Sequence, residues 1–76
     1  MTNEIINLVN EVLSLNNTNF DLEEDLSNYG LTSMNLVSIV VDLEEKFNIE
    51  FPDEFLIIDN LNTINKIQVC IEKLLK

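Results

Sequence analysis

The sequence predicts an all-α fold built from three amphipathic helices and one short helical segment. Apolar residues recur at spacings of three and four in three stretches, over residues 3–15, 33–47 and 63–75. No stretch shows the apolar–polar alternation that is typical of a strand. The 76 residues, of which 46% are hydrophobic, suffice for one small domain over residues 1–76 with a mainly aliphatic core.

The first helix is predicted over residues 3–15. Thr2 or Asn3 is expected to cap its start, and Asn16 and Asn17 are expected to end it. Its apolar face is expected to pack on the core, because the apolar side chains recur with the period of a helix. The residues of this face are Ile5, Leu8, Val9, Val12 and Leu13.

A long connection follows over residues 16–32, and loops of this length are uncommon unless they carry function or pack. Spaced apolar side chains are expected to hold it against the core. A calcium loop starting at Asp21 is excluded, since Leu26 would replace its sixth-position glycine and Thr32 its final glutamate. The apolar residues of the connection are Phe20, Leu22, Leu26, Tyr29 and Leu31.

The second helix is predicted over residues 33–47, directly after a turn that contains Gly30. Gly30 is the only glycine, and it is expected either to take a positive φ or to permit a close approach. Thr32 or Ser33 is expected to cap the helix. The core-facing residues of the helix are Leu36, Ile39, Val40, Leu43 and Phe47.

A second apolar group on this helix, Met34, Val37 and Val41, is rotated towards the side of Ser33. A helix on a small core cannot bury both groups, so this group is predicted to be an exposed patch. The alternative is that Val37 and Val41 only widen the core face. The polar residues that flank the patch are Ser38, Glu44 and Glu45.

The last third of the chain is predicted to hold a short helical segment and a final helix. Pro52 prevents continuation of the second helix, and residues 53–58 are expected to form one or two helical turns. Asn62 or Thr63 is expected to cap the final helix, which runs to about residue 75. The expected core residues here are Phe51, Phe55, Leu56, Ile64, Ile67, Cys70, Ile71 and Leu74.

The chain is strongly acidic, with 14 acidic residues against 4 basic ones and a net charge of −10. Such a chain repels nucleic acid and anionic membranes, and its expected partners are basic protein surfaces. Eleven acidic residues lie between Asp21 and Asp59, where Lys46 is the only basic residue. This clustering favours a recognition surface over a role in solubility alone.

Catalysis by the chain alone is not expected, because it contains no histidine to activate a serine or cysteine. The one cysteine, Cys70, is expected to be a buried structural thiol. A single cysteine, no signal peptide and no membrane span together predict a cytoplasmic protein, and we expect a monomer.

Ser33 is the strongest candidate for chemistry. A phosphodiester on its hydroxyl would lie at the positive end of the second helix, where free backbone N–H groups favour an anion. A serine at this place is also common as a simple helix cap. Its position alone leaves both interpretations open.

Four parts of the sequence together resemble the acyl carrier protein family. They are the run Tyr29-Gly30-Leu31-Thr32-Ser33-Met34, the acidic helix that ends in Leu43-Glu44-Glu45-Lys46-Phe47, and the segments Ile49–Glu54 and Leu61–Ile64. The resemblance covers essentially the whole chain. It implies a four-helix bundle with a long first loop and a short third helix. It also implies that Ser33 carries 4′-phosphopantetheine, whose thiol holds acyl, aminoacyl or peptidyl groups as thioesters.

The resemblance further implies a free-standing carrier that is modified by a phosphopantetheinyl transferase and serves acyl- or aminoacyl-loading and condensing enzymes with basic docking surfaces. The implied pathways are those of fatty acid, polyketide or nonribosomal peptide synthesis. The residues that partners would read are Thr32, Met34, Val37, Ser38, Val41, Glu44 and Glu45.

Four positions depart from the family pattern: Asn28 and Tyr29 replace the usual acid and leucine, and two further departures bear on the partners. Thr32 stands where an aspartate is usual, and Ser38 stands where an acidic residue is common. Both departures favour a carrier in a specialised pathway. The alternative hypothesis is an unmodified acidic adaptor domain of the same fold, which binds a basic partner through the second helix.

Overall fold

The computed structural model describes residues 1–15 and 21–75, which form helices and turns and contain no strand. The predicted all-α four-helix bundle, with a long first loop and a short third helix, is confirmed. In chain order the elements are α1 (Thr2–Leu13), a 3₁₀ turn (Leu26–Tyr29), α2 (Ser33–Phe47), a second 3₁₀ turn (Asp53–Phe55), α3 (Ile58–Leu61) and α4 (Ile64–Leu74).

Helix α1 begins earlier and ends earlier than predicted. Met1 is its N-cap, because its carbonyl accepts from the amides of Glu4 and Ile5, and its terminal ammonium group also pairs with Glu4 at 3.2 Å. Thr2 is already helical, and its hydroxyl donates to the Gln68 side chain of α4 instead of capping. Ser14 ends the helix in the left-handed conformation, with φ 57°. The predicted stop at Asn16 and Asn17 lies outside the described residues.

The core is aliphatic, as predicted, and lies where α1 packs against α2 and α4. Helices α1, α2 and α4 contribute buried residues from the apolar faces that their periodicity indicated. Burial of these faces supplies the main driving force for folding. The buried apolar residues are Ile5, Leu8, Val9, Leu26, Leu31, Leu36, Ile39, Val40, Leu43, Phe51, Leu61, Ile64, Ile67 and Ile71.

The connection between α1 and α2 is held to the start of α4 by its backbone as well as by apolar side chains. The Leu26 amide donates to the Asn62 carbonyl at 2.7 Å, and the Asn65 amide donates to the Leu22 carbonyl at 2.9 Å. The Leu26 side chain is fully buried. The prediction was wrong for Leu22, whose side chain is exposed while its carbonyl makes the contact. Phe20 lies outside the described residues.

The segment between α2 and α4 differs from its prediction in two ways: the helical turn ends at Phe55 and α3 begins only at Ile58, and Leu56 is not a core residue. Pro52 caps a 3₁₀ turn, closed by the bond from the Phe55 amide to the Pro52 carbonyl at 2.9 Å. Leu56 ends that turn with φ −86° and ψ 49°. This bend directs its side chain outward, so Leu56 is 44% exposed and not a core residue. Thr63 caps α4 by accepting from the Lys66 amide at 3.0 Å.

Candidate functional site

The turn before α2 is shaped by Gly30, which has φ 95° as predicted. Side chains other than glycine rarely adopt this conformation. The Asn35 side chain donates to the Gly30 carbonyl at 3.0 Å, and the Leu31 amide donates to the Leu26 carbonyl at 3.2 Å. Leu31 is buried behind the turn. The turn is therefore tied both to α2 and to the core, and it delivers Ser33 to the surface.

Thr32, and not Ser33, is the residue that caps α2. The Thr32 hydroxyl oxygen accepts from the Asn35 amide at 3.3 Å. Ser33 is the first residue of the helix, and its side chain is exposed. The alternative role of Ser33, that of a simple helix cap, is thus filled by Thr32. The Ser33 hydroxyl lies beside the first N–H groups of α2, which lack partners within the helix.

The second apolar group on α2 is exposed, as its rotation on the helix predicted. Met34 is 82% exposed, Val37 62% and Val41 48%. The alternative that Val37 and Val41 only widen the core face does not fit these values. Ser38 and Glu45 beside them are also exposed. Ser33 and the predicted partner residues Met34, Val37, Ser38, Val41 and Glu45 therefore lie on one accessible part of α2.

A cavity of about 230 Å³ opens next to Ser33, between α2 and the segment that leads into α3. It is mainly apolar and is larger than the roughly 150 Å³ cavity known to bind benzene. Sequence patterns do not reveal its far wall, because they predict Leu56 to be a core residue and predict no role for Ile58. The lining residues are Ser33, Leu36, Val37, Val40, Val41, Glu44, Leu56 and Ile58.

Glu44, like Thr32, differs from the remaining predicted partner residues because its side chain already accepts a hydrogen bond within the protein. One carboxylate oxygen accepts a hydrogen bond from the Phe51 amide at 2.8 Å. The side chain is half-buried and lines the cavity, whereas its neighbour Glu45 is exposed. Phe51 itself is buried, with 4% exposure. The helix pattern gave no sign of this bond, which crosses seven residues.

Along the sequence, charged residues lie on either side of Ser33 and none is close to it. No charged residue occurs between Asp25 and Asp42. Asp25 caps the first 3₁₀ turn, and its hydrogen bonds from the backbone and side chain of Ser27 lower the pKa of its carboxyl group. Among the described residues, the one ion pair joins Met1 and Glu4. The carboxylates on either side of Ser33 therefore make no ion pair with a lysine in this part of the chain, although the charge of Lys66 contributes to the lowered pKa of Asp25.

Cys70 lies away from this site, on α4. Its thiol is partly buried and packs on the core. Burial raises the pKa of the Cys70 thiol, and nearby Lys73 offsets this only in part. It lines a second depression of about 380 Å³ that includes none of the predicted site residues. A protonated, partly buried thiol is a poor nucleophile.

Within residues 1–15 and 21–75, no three potential metal-binding side chains stand close enough to hold an ion. No helix of this part of the chain has the length and hydrophobicity needed to cross a membrane.

The sequence was compared with known protein families and curated proteins. The model of the family described as a phosphopantetheine attachment site matches residues 3–67 of the 76. The chain belongs to this family, the acyl carrier proteins. Members hold 4′-phosphopantetheine covalently and act as carriers rather than as catalysts. No curated protein matches this carrier protein closely enough to count as a relative.

The residues of the carrier protein fit the group that its family holds. Attachment needs a hydroxyl that a transferase can reach, and Ser33 is exposed at the start of α2. A phosphodiester there would face the positive end of a helix of 15 residues. The cavity next to this hydroxyl is mainly apolar.

Proposed function

We propose that this carrier protein holds 4′-phosphopantetheine on Ser33 and presents the attached acyl, aminoacyl or peptidyl group to biosynthetic enzymes. The observation that carries the proposal is that different residues at the start of α2 cap the helix and expose a hydroxyl. Thr32 makes the capping bond, and Ser33 is left exposed beside an apolar cavity. The match to the phosphopantetheine attachment family supports the proposal that this hydroxyl carries the group.

When bound, the phosphopantetheine arm supplies a thiol that carries the cargo as a thioester. The residues of the chain have simpler tasks. Ser33 provides the oxygen that anchors the phosphodiester, and the amides at the start of α2 favour the charge of that group. The turn at Gly30 fixes where the arm leaves the surface. The mainly apolar walls of the cavity lower the exposure of apolar cargo to water.

The exposed patch of α2 is the proposed contact for partner enzymes. Met34, Val37 and Val41 offer apolar contact area, and Glu45 offers charge at its edge. Because no charged residue lies between Asp25 and Asp42, a partner would meet apolar surface at Ser33 and acidic surface further along α2. Basic groups on the partner would steer the encounter, and the apolar residues would hold it.

Thr32 and Ser38, at positions where family members usually carry acidic residues, support service in a specialised peptide or polyketide pathway. Fewer carboxylates beside Ser33 would weaken docking to strongly basic surfaces. Ser38→Asp should then increase the rate of loading by enzymes of fatty acid synthesis, because it adds a carboxylate for their basic surfaces to contact. An unchanged or reduced rate would argue against this assignment.

The proposal is tested by incubating the unmodified protein with coenzyme A and a broad-specificity phosphopantetheinyl transferase. The expected product is a single species heavier by one phosphopantetheine. Ser33→Ala should abolish the addition, whereas Ser38→Ala, which removes another exposed hydroxyl of α2, should not. No addition with several transferases would overturn the proposal and leave an unmodified acidic adaptor as the better account.

A further inference from the structure

The cavity beside Ser33 has two walls that belong to different parts of the chain. One wall is formed by α2, including Val37, Val40 and Glu44. The other is formed by Leu56 and Ile58, which follow the second 3₁₀ turn. The cavity keeps its volume only while the segment over residues 51–58 stays in place against α2.

The bond between Glu44 and Phe51 joins these two walls. The carboxylate accepts from the Phe51 amide at 2.8 Å. Among the described residues, no other side-chain hydrogen bond links α2 to residues 51–61. Bonds that involve a charged group are stronger than neutral ones, and this one is partly shielded from water because Glu44 is half-buried.

The bond is placed where it can control the segment. Phe51 is buried and directly precedes Pro52, which fixes φ and starts the turn that leads to Leu56. The Glu44 backbone carbonyl also accepts from the Ile49 amide at 3.2 Å. Glu44 thus accepts hydrogen bonds from the segment that follows α2 with both its side chain and its backbone carbonyl. Glu45, the next residue, is exposed and makes no such bond in the described part of the chain.

We propose that Glu44 is a positioning residue that closes the cavity beside Ser33, and so controls how far the carried acyl group is shielded from solvent. This inference rests on the proposed function, because the cargo must be attached at Ser33. It assigns Glu44 a role within the protein, where its sequence position suggests only a contact for partners.

The first test uses the unmodified protein and amide hydrogen exchange at Phe51, measured by NMR. Glu44→Ala removes the acceptor and should speed the exchange by about tenfold to a hundredfold, the range expected for a bond to a charged group. Glu44→Gln keeps a neutral acceptor and should give an intermediate rate. Glu45→Gln is the matched control and should leave the rate unchanged. Exchange in Glu44→Ala at the wild-type rate would overturn the proposal.

The second test measures shielding of the cargo. A hexanoyl-phosphopantetheine group is loaded onto each protein, and cleavage of its thioester by hydroxylamine is followed by mass spectrometry. Cleavage should be slowest in the wild type, faster in Glu44→Gln and fastest in Glu44→Ala. Thr63→Ala controls for loss of stability, since it removes the cap of α4 and α4 does not line the cavity. This variant should cleave at the wild-type rate.

Failure of this inference can be told apart from failure of the proposed function. If the wild type is loaded and Glu44→Ala cleaves no faster, the segment does not control shielding and the inference is wrong. If no protein can be loaded, the proposed function fails. The role of Glu44 in closing the cavity is then tested by titrating 1-hexanol into the unmodified protein and following the NMR shifts. Hexanol-induced shifts at Val40 and Leu56 that are weaker in Glu44→Ala support the closing role. Shifts equal to those of the wild type overturn it.

Discussion

Replacement of Gly30 tests how the turn before Ser33 is built. The φ of 95° lies in the left-handed half of backbone space, where a residue with a side chain loses roughly 1–2 kcal/mol. A Cβ added at Gly30 would meet no atom within 4 Å, so steric clash adds nothing to this strain. The smaller conformational freedom of unfolded alanine offsets about 0.4–1 kcal/mol. Gly30→Ala should therefore lower the free energy of unfolding by about 1 kcal/mol.

For a domain of this size, a loss of 1 kcal/mol lowers the Tm by about 4–8 °C. Thermal unfolding followed by circular dichroism measures the change. Gly30→Asn should lose less than Gly30→Ala, because asparagine tolerates left-handed conformations better than alanine does. A Tm of Gly30→Ala equal to that of the wild type would refute the strain argument.

Ser14 gives a control in the opposite direction. It has φ 57° without being a glycine, and it is exposed at the end of α1. Ser14→Gly relieves the strain there and should leave the Tm unchanged or raise it. If both Ser14→Gly and Gly30→Ala lower the Tm equally, backbone conformation does not account for the role of Gly30.

Three further predictions concern the cap, the charge and the thiol. Thr32→Ala should lower the free energy of unfolding by about 0.5–1 kcal/mol, because it removes the cap of α2. Thr32→Asp should have a higher Tm than Thr32→Ala, because an acidic side chain stabilises this end of a helix. Equal Tm values for the two variants would contradict the capping role of the residue. Raising the salt concentration from about 0.01 M to about 0.1 M shortens the screening length from about 30 to about 10 Å. The Tm should rise, because salt weakens the repulsion among the clustered carboxylates, which make no ion pair with a lysine in the described residues. Because burial raises the pKa of Cys70, its alkylation by iodoacetamide at neutral pH should be slower than that of a free thiol. The protonated Cys70 thiol should make its full contribution to the free energy of unfolding below the ordinary thiol pKa. This contribution should be lost as the pH rises through the higher pKa that Cys70 has in the folded protein. Cys70→Ala should not show this loss of stability.

The sequence predicted the helices well because each long helix has enough turns to define an apolar face. Residues 33–47 were assigned to α2 with the bounds that the structure has. Met34 and Val37 were predicted to be exposed because one face of a helix cannot cover every apolar residue. Residues 51–58 contain too few turns to define a face. The orientation of Leu56 there depends on how a single 3₁₀ turn ends.

Two features of the site were beyond the reach of sequence patterns. The cavity needs α2 and the segment before α3 at a particular separation, which periodicity within one helix does not encode. Glu44 was placed on the recognition face by its angle on the helix, but its carboxylate is held by a backbone amide in the following loop. An acidic residue in the last turn of a helix, followed by a buried aromatic residue and a proline, is the signal that could have revealed this bond.

The most direct measurement of the central claim is the state of the protein in its own cells. Protein purified from the native host is fragmented in the mass spectrometer, and the position of any phosphopantetheine is read from the fragments. The account predicts the group on Ser33 and on none of the other serines. A native protein that carries no such group, or that carries it on another residue, would contradict the account.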